Sequence, residues 1–247
     1  MNCKNCDAPL TGNFCVNCGQ KADIHRITFK NFLRDFFHAF THTDKGILLL
    51  IKELMTKPGH VAKEYLDGKR KKYFNPLTFL IILSSLYAFL GQKSGYYEAL
   101  SGINRYSGKG SGIYTEAMGI MDELGKIVSL FLMPVLMSFL SRLFFFQSQR
   151  NVAENLVLNA MVLGQVYLGM ILLFIPAFVL VPGIPIGINN GVFHLVMLVY
   201  ITIAYKQFFG NNVFLTALKA ILINILFIVL FWVCIYTYVI LKHMILG

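Results

Sequence analysis

The amino-acid sequence predicts an all-α membrane protein. About five transmembrane helices are expected, preceded by amphipathic juxtamembrane helices and a small N-terminal cysteine ribbon. Three observations carry this. The chain has 247 residues, 56% of them hydrophobic and only 14% charged, with a mean hydropathy of +0.62. An average soluble domain is about 25% charged, so this chain is too apolar to cover one soluble globule. The charges are also segregated: the first 75 residues hold 13 of the 22 Lys and Arg and 7 of the 12 Asp and Glu. Finally, four of the five cysteines fall within the first 18 residues.

Those four cysteines read as Cys3-x-x-Cys6 and Cys15-x-x-Cys18. Each C-x-x-C forms a knuckle that points two thiolates at one ion, and two knuckles complete a tetrahedral four-sulfur site. Residues 1–22 are therefore expected to be a zinc ribbon with Zn2+ as a structural ion. Gly19 suits the positive φ that follows a knuckle, and Gly12-Asn13 suits the turn between the two. So small a unit has almost no core, so the metal must supply its folding energy. With four protein ligands the site has no open position for catalysis. The rival arrangements are two disulfides, which need an oxidising compartment, and a redox pair, which needs a single C-x-x-C. Cys234 lies in an apolar run and is expected to be a packing residue.

Residues 23–74 are expected to form basic amphipathic helices on the cytoplasmic face or in the interface. From Ile27 to Phe40 the apolar residues recur at helical spacing, with Lys30, Arg34, Asp35 and His38 opposite. This Phe-rich face suits either the membrane interface or packing on the spanning helices. His38 and His42 have an i, i+4 spacing that metals use, though a solvated face explains it as well. A second helix is expected over 46–55, with Pro58-Gly59 as its breaker, and a third over 61–66. Lys69, Arg70, Lys71 and Lys72 then precede the first span. They attract anionic headgroups or simply fix topology. The run is too short, and too close to lipid, to favour nucleic acid.

Spans are expected over about 75–91, 126–146, 155–181, 188–205 and 220–241, each near the roughly 20 residues that cross the hydrocarbon core. Pro134 and Pro176 are expected to kink their helices. The opening residues lack a signal-peptide core, so the first span is expected to target the chain to the membrane. With the N-terminus inside, the inner segments hold 17 cations and the outer segments 5. The positive-inside rule therefore puts the ribbon in the cytosol and the C-terminus outside. The long outer loop is expected to hold one short helix near 116–124. Within the spans, Asn159, Gln165 and His194 form a candidate intramembrane polar site, against the alternative of ordinary interhelical hydrogen bonds. No nucleophile elbow, Walker loop, dinucleotide fingerprint or His-Glu-x-x-His motif occurs, and no catalytic residue is assigned.

Two blocks of the chain resemble a known family. The first is Cys3-x-x-Cys6, Phe14-Cys15-x-x-Cys18-Gly19-Gln20-Lys21 and His25-Arg26-Ile27-Thr28. The second is Lys57-Pro58-Gly59 with Glu64-Tyr65-Leu66-x-Gly68-Lys69-Arg70-Lys71-Lys72-Tyr73-Phe74-Asn75-Pro76. Together they resemble a bacterial membrane family catalogued as domain of unknown function 3667. The resemblance covers about the first 90 residues. It implies a zinc ribbon on a multi-span membrane domain and no assigned activity.

Three functional readings follow. The leading one is a non-enzymatic scaffold or accessory protein of the bacterial inner membrane, with the ribbon docking a protein partner and lipids, anionic ones included, around the spans. The second is a transporter or channel for a small solute or lipid, and the third a lipid-modifying enzyme at the inner face. Oligomerisation stays open.

Overall fold

A computed structural model describes residues 1–30, 46–100, 116–117, 132–181 and 183–246. Among these, β structure is limited to two isolated antiparallel bridges in the ribbon, Asn2 with Pro9 and Phe14 with Lys21. The rest of the regular structure is helical.

Helix α1 (Ile47–Leu54) and helix α2 (Pro58–Asp67) form a short hairpin. Pro58 opens α2 instead of merely breaking α1. In the first turn its missing N–H is no loss, and its fixed φ suits the helix. Helix α2 stops at Gly68, whose φ of 122° few other residues adopt. Helix α3 (Pro76–Lys93) starts the same way, with Pro76 in the first turn. The side chain of Asn75 caps it, accepting from the N–H groups of Leu77 at 3.0 Å and Thr78 at 3.2 Å.

Helix α4 (Leu132–Phe144) leads by a 3-10 turn into helix α5 (Val152–Gly169). A reciprocal capping box starts α5: the Asn151 side chain accepts from Glu154 N–H, and the Glu154 carboxylate accepts from Asn151 N–H. A π-helical turn, Met170–Phe174, passes α5 on to helix α6 (Ile175–Leu180). Pro176 follows this turn directly. The wider turn accommodates a residue with no N–H to donate, so the span continues through the expected kink site. Helix α7 (Ile186–Phe209) and helix α8 (Val213–Leu246) complete the fold, joined at Gly210 with φ 76°.

Four stretches are long and apolar enough to cross a membrane: Pro76–Lys93, Val152–Leu180, Ile186–Phe209 and Val213–Ile245. They contain or nearly coincide with four of the five expected spans. The remaining one, 126–146, is described only as α4, and residues 126–131 lie outside the described set. The main difference is α8, which begins at Val213, ahead of the span expected over 220–241. Lys219 lies over the Phe145 ring at 4.8 Å, so the helix carries this cation inside its first turns. With 34 residues, α8 is about 51 Å long, well beyond the roughly 30 Å of a hydrocarbon core.

The core is built round α5. Every residue from Ala153 to Gly164 is buried, so this helix is enclosed on all sides by α2, α3, α4 and α7. Gly164 allows the Phe79 ring of α3 to lie against the backbone: a Cβ there would meet the ring at 2.5 Å. Gly59 does the same between α2 and α7, where a Cβ would stand 2.2 Å from Ala204 O and 2.5 Å from Phe208 N. Both neighbours are backbone and cannot step aside. We expect Gly59→Ala to part the two helices and cost about 1–3 kcal/mol. Thermal melting of the detergent-purified protein checks this, and an unshifted midpoint would contradict the packing described.

Candidate metal centre and the surface that holds it

The two knuckles are near-copies. Cys3 N–H donates to Ala8 O at 2.9 Å and Cys15 N–H to Gln20 O at 2.8 Å, while Asp7 N–H and Gly19 N–H close each knuckle onto Cys3 O and Cys15 O. The residue after each second cysteine is left-handed, Asp7 at φ 58° and Gly19 at φ 70°. Asp is among the few non-glycine residues that tolerate this. All four Sγ atoms lie within 4.8 Å of one another, with Cys3–Cys18 and Cys6–Cys15 each at 3.6 Å. A disulfide needs about 2.05 Å. Sulfurs at about 2.3 Å from a tetrahedral zinc stand about 3.8 Å apart. The donor set and its spacing thus fit a four-coordinate metal ion such as zinc. The backbone N–H of Cys18 holds the Cys15 thiol down to about 7, whereas burial pushes the Cys18 thiol up to about 11, so a bound cation is needed to bring all four to the thiolate.

The ribbon does not hang free. Its polar side chains grip the basic turn between α2 and α3. Gln20 Oε1 accepts from the backbone N–H groups of Arg70 at 3.1 Å and Lys71 at 3.2 Å, and Asn5 Oδ1 accepts from Lys72 N–H at 3.0 Å. In return Arg70 Nη2 donates to His25 O at 2.7 Å. Lys4 and Ile24 pack on Gly68, where a Cβ would lie 3.0–3.1 Å from them. A second grip follows at once. Arg26 donates through Nε and Nη2 to the two oxygens of Glu154, both at 2.9 Å, and Asn151 Nδ2 donates to Ile27 O at 3.0 Å. Ile27 is buried in the main core. The two sequence blocks that carry the family resemblance therefore meet in space, first block against second.

Lys69, Arg70, Lys71 and Lys72 are thus more occupied than a lipid-facing patch requires. Lys72 Nζ lies 2.9 Å from Glu64 and 3.5 Å from Glu53, Lys69 lies 3.2 Å from Glu64, and only Lys71 is fully exposed. The Tyr73 hydroxyl sits between the same two carboxylates, 2.5 Å from Glu53 and 2.7 Å from Glu64. This network fastens the basic turn to α1 and α2. Burial pushes the Glu64 carboxyl up, but hydrogen bonds from Tyr73, Lys72 and Lys69 outweigh it and bring the group from an ordinary 4.5 down to about 2. A depressed carboxylate stabilises the fold above its ordinary value, and that stabilisation is lost as the pH falls toward 2. The wild type is therefore expected to melt above Glu64→Gln at pH 6 and to lose that margin between pH 4.5 and 2. A margin that persists unchanged at pH 2 would contradict the network.

The intramembrane polar residues face three different surroundings. Asn159 is fully buried in a closed cluster: its Nδ2 reaches Ser138 and Ser141 at 3.3 and 3.2 Å, its Oδ1 accepts from the Tyr205 hydroxyl at 2.8 Å, and Ser141 donates to Asn155 Oδ1 at 2.9 Å. Gln165 Nε2 approaches Ile51 O on α1 at 3.5 Å. His194 is exposed on the outer side of α7, beside Phe193. Cys234, expected to pack, faces outward from α8. Residues 31–45, including His38 and His42, lie outside the described residues, as does most of the short helix expected near 116–124. Of that helix Glu116 and Ala117 are described, and Glu116 pairs with Lys242 at 2.5 Å and His243 at 2.7 Å on α8. Sequence reasoning missed Asn5, Gln20 and Glu154 as holding residues. The Asn151-x-x-Glu154 spacing was the one legible signal among them.

Comparison with curated proteins and with solved structures finds no match. Residues 44–88, which contain α1, α2, the basic turn and the first part of α3, match the family described as protein of unknown function (DUF3667).

Proposed function

We propose that this chain is a non-enzymatic accessory or scaffold protein of a bacterial inner membrane. In this reading five spans carry a zinc ribbon fixed at their cytosolic end, and the ribbon is the surface a protein partner engages. The observation that carries the reading is the double grip of the ribbon on the bundle, through Gln20 and Asn5 on one side and Arg26 on the other. A four-sulfur site so held has no open coordination position for chemistry, yet presents a fixed outer face. On that face Phe14 and Val16 are 55% and 85% exposed. Cations at this end, among them Arg142, Arg150, Lys206 and Lys219, support its placement in the cytosol. The transport reading has less behind it, since Asn159, Gln165 and His194 share no common surface.

The test is photo-crosslinking in cells from a reactive residue placed at Val16, with the same residue at Val229 on the lipid-facing side of α8 as control. The reading expects a discrete protein adduct from position 16 that disappears in the Cys3→Ser/Cys15→Ser variant. Adducts confined to lipid, or identical from both positions, would overturn it.

A further inference from the structure

At the ribbon end of the bundle, a cleft opens between the α4–α5 connection and the α7–α8 connection. Phe145, Gln147, Ser148, Phe209, Asn211 and Lys219 line it, around a cavity of about 90 Å³ that opens to solvent. Its floor is rigid: Phe145 and Phe209 stack with ring centres 4.0 Å apart, and Phe145 is buried. Lys219 lies across this aromatic floor, half-buried, with no carboxylate partner among the described residues. That sets it apart from Lys69 and Lys72, whose charges are already met by Glu64. The half-buried ammonium and the amides of Gln147 and Asn211 are donors with no anion among the described residues, whereas the Ser148 hydroxyl already donates to Phe145 O at 2.7 Å.

The surroundings say which kind of anion fits. Leu143 and Phe146 on one side of the cleft are 65% and 62% exposed, and Phe214 and Leu218 on the other are exposed as well. From Lys219, α8 runs on with Leu222, Ile225 and Val229 exposed, so an apolar track leads away from the cation along a helix long and apolar enough to cross a membrane. We propose that this cleft binds the phosphate of an anionic phospholipid, with Lys219 as the charge that receives it and acyl chains lying along α8. A free phosphate shares the headgroup chemistry but has no use for the apolar track. The site is separate from the basic turn, where Lys69, Arg70 and Lys72 are already engaged by Glu64, His25 O and Glu53 and only the Lys71 side chain is exposed.

Native mass spectrometry of the full-length protein in detergent, titrated with phosphatidylglycerol, phosphatidylcholine and inorganic phosphate, tests this. Lys219→Met keeps the stem on Phe145 and removes the charge, and Lys219→Arg keeps the charge. Lys206→Met removes an exposed cation outside the cleft. The expected result is preferential retention of phosphatidylglycerol, weakened about tenfold by Lys219→Met, the scale of one lost charge-assisted hydrogen bond, and unchanged in Lys219→Arg and Lys206→Met. Equal retention by Lys219→Met, or an equal loss in Lys206→Met, would overturn the assignment. Inorganic phosphate that displaces the lipid at similar concentration would overturn the lipid half of it. A melting midpoint is recorded for each variant, and Lys219→Arg separates lost charge from lost fold.

Discussion

Replacing Cys3 and Cys15 with serine is expected to abolish metal binding and to unfold residues 1–22, while the helical bundle stays intact. The expectation rests on how little else holds the ribbon. Of its 22 residues only Cys3, Cys15 and Gln20 are buried, so there is no apolar core to survive the loss. In zinc-finger peptides of similar size the metal supplies about 10–16 kcal/mol, which is the folding free energy itself. The bundle differs, because its core, with members from Ile27 to Ile223, contains no ribbon cysteine. Elemental analysis of detergent-purified protein is expected to give one zinc per chain for the wild type and none for the variant. Limited proteolysis should then cut the variant within residues 1–30 and spare the helices. A variant ribbon that resists protease as well as the wild type would contradict the metal-held account.

The second large effect is expected at the Arg26–Glu154 pair. The Glu154 side chain is only 5% exposed, whereas Arg26 is 59% exposed. Arg26→Ala would leave a buried carboxylate short of its bidentate partner. Stranding a fully buried charge costs about 3–5 kcal/mol. Here the solvent around Arg26 and the nearby Arg150, 3.8 Å from Glu154, soften the loss to about 2 kcal/mol. Glu154→Gln keeps the acceptor for Asn151 N–H but removes the charge, so it should cost less. The double variant should be more stable than the sum of the two single losses allows, because the stranded charge is then gone. Melting of all four proteins measures the cycle, and strictly additive losses would mean that the two side chains do not interact.

These two expectations also mark what could and could not be read from the sequence. The cysteine spacing builds the four-sulfur cluster locally, since each knuckle is closed by backbone bonds within six residues. Four of the five expected spans were legible as long apolar helices because apolar length is a property of a continuous run. The span expected over 220–241 lies inside the longer helix Val213–Leu246, whose first turns carry Lys219 over the Phe145 ring. Pro58 was read as a stop, but at the first position of a helix the same ring is a start. Least legible was the docking of the ribbon. Gln20 and Asn5 accept from backbone N–H groups about 50 to 67 residues away, and a side chain bonded to backbone leaves no complementary residue type in the sequence to find. The same holds for Asn159, which completes its hydrogen bonds with residues from α4, α5 and α7. Its apparent grouping with Gln165 and His194 came from their shared polarity, which carries no information about facing direction.

The basic turn changes its meaning in this light. Four cations before a span suggest a lipid-directed patch. Once folded, three of the four side chains are taken up by Glu53, Glu64 and His25 O, and three of their backbone N–H groups by the ribbon. Positive charge here does structural work first, and the cation we propose for lipid is Lys219, which has no carboxylate partner among the described residues.

The most direct measurement is hydrogen exchange at the amides of Arg70, Lys71 and Lys72 in the full-length protein, with zinc and after chelation. These three N–H groups donate to ribbon side chains, so their protection reports the metal-held ribbon gripping the bundle. The account predicts strong protection with zinc, lost together at all three amides on chelation while α5 stays protected. Protection that is the same with and without the metal would mean that the turn holds itself, and that the ribbon is not the clamp described here.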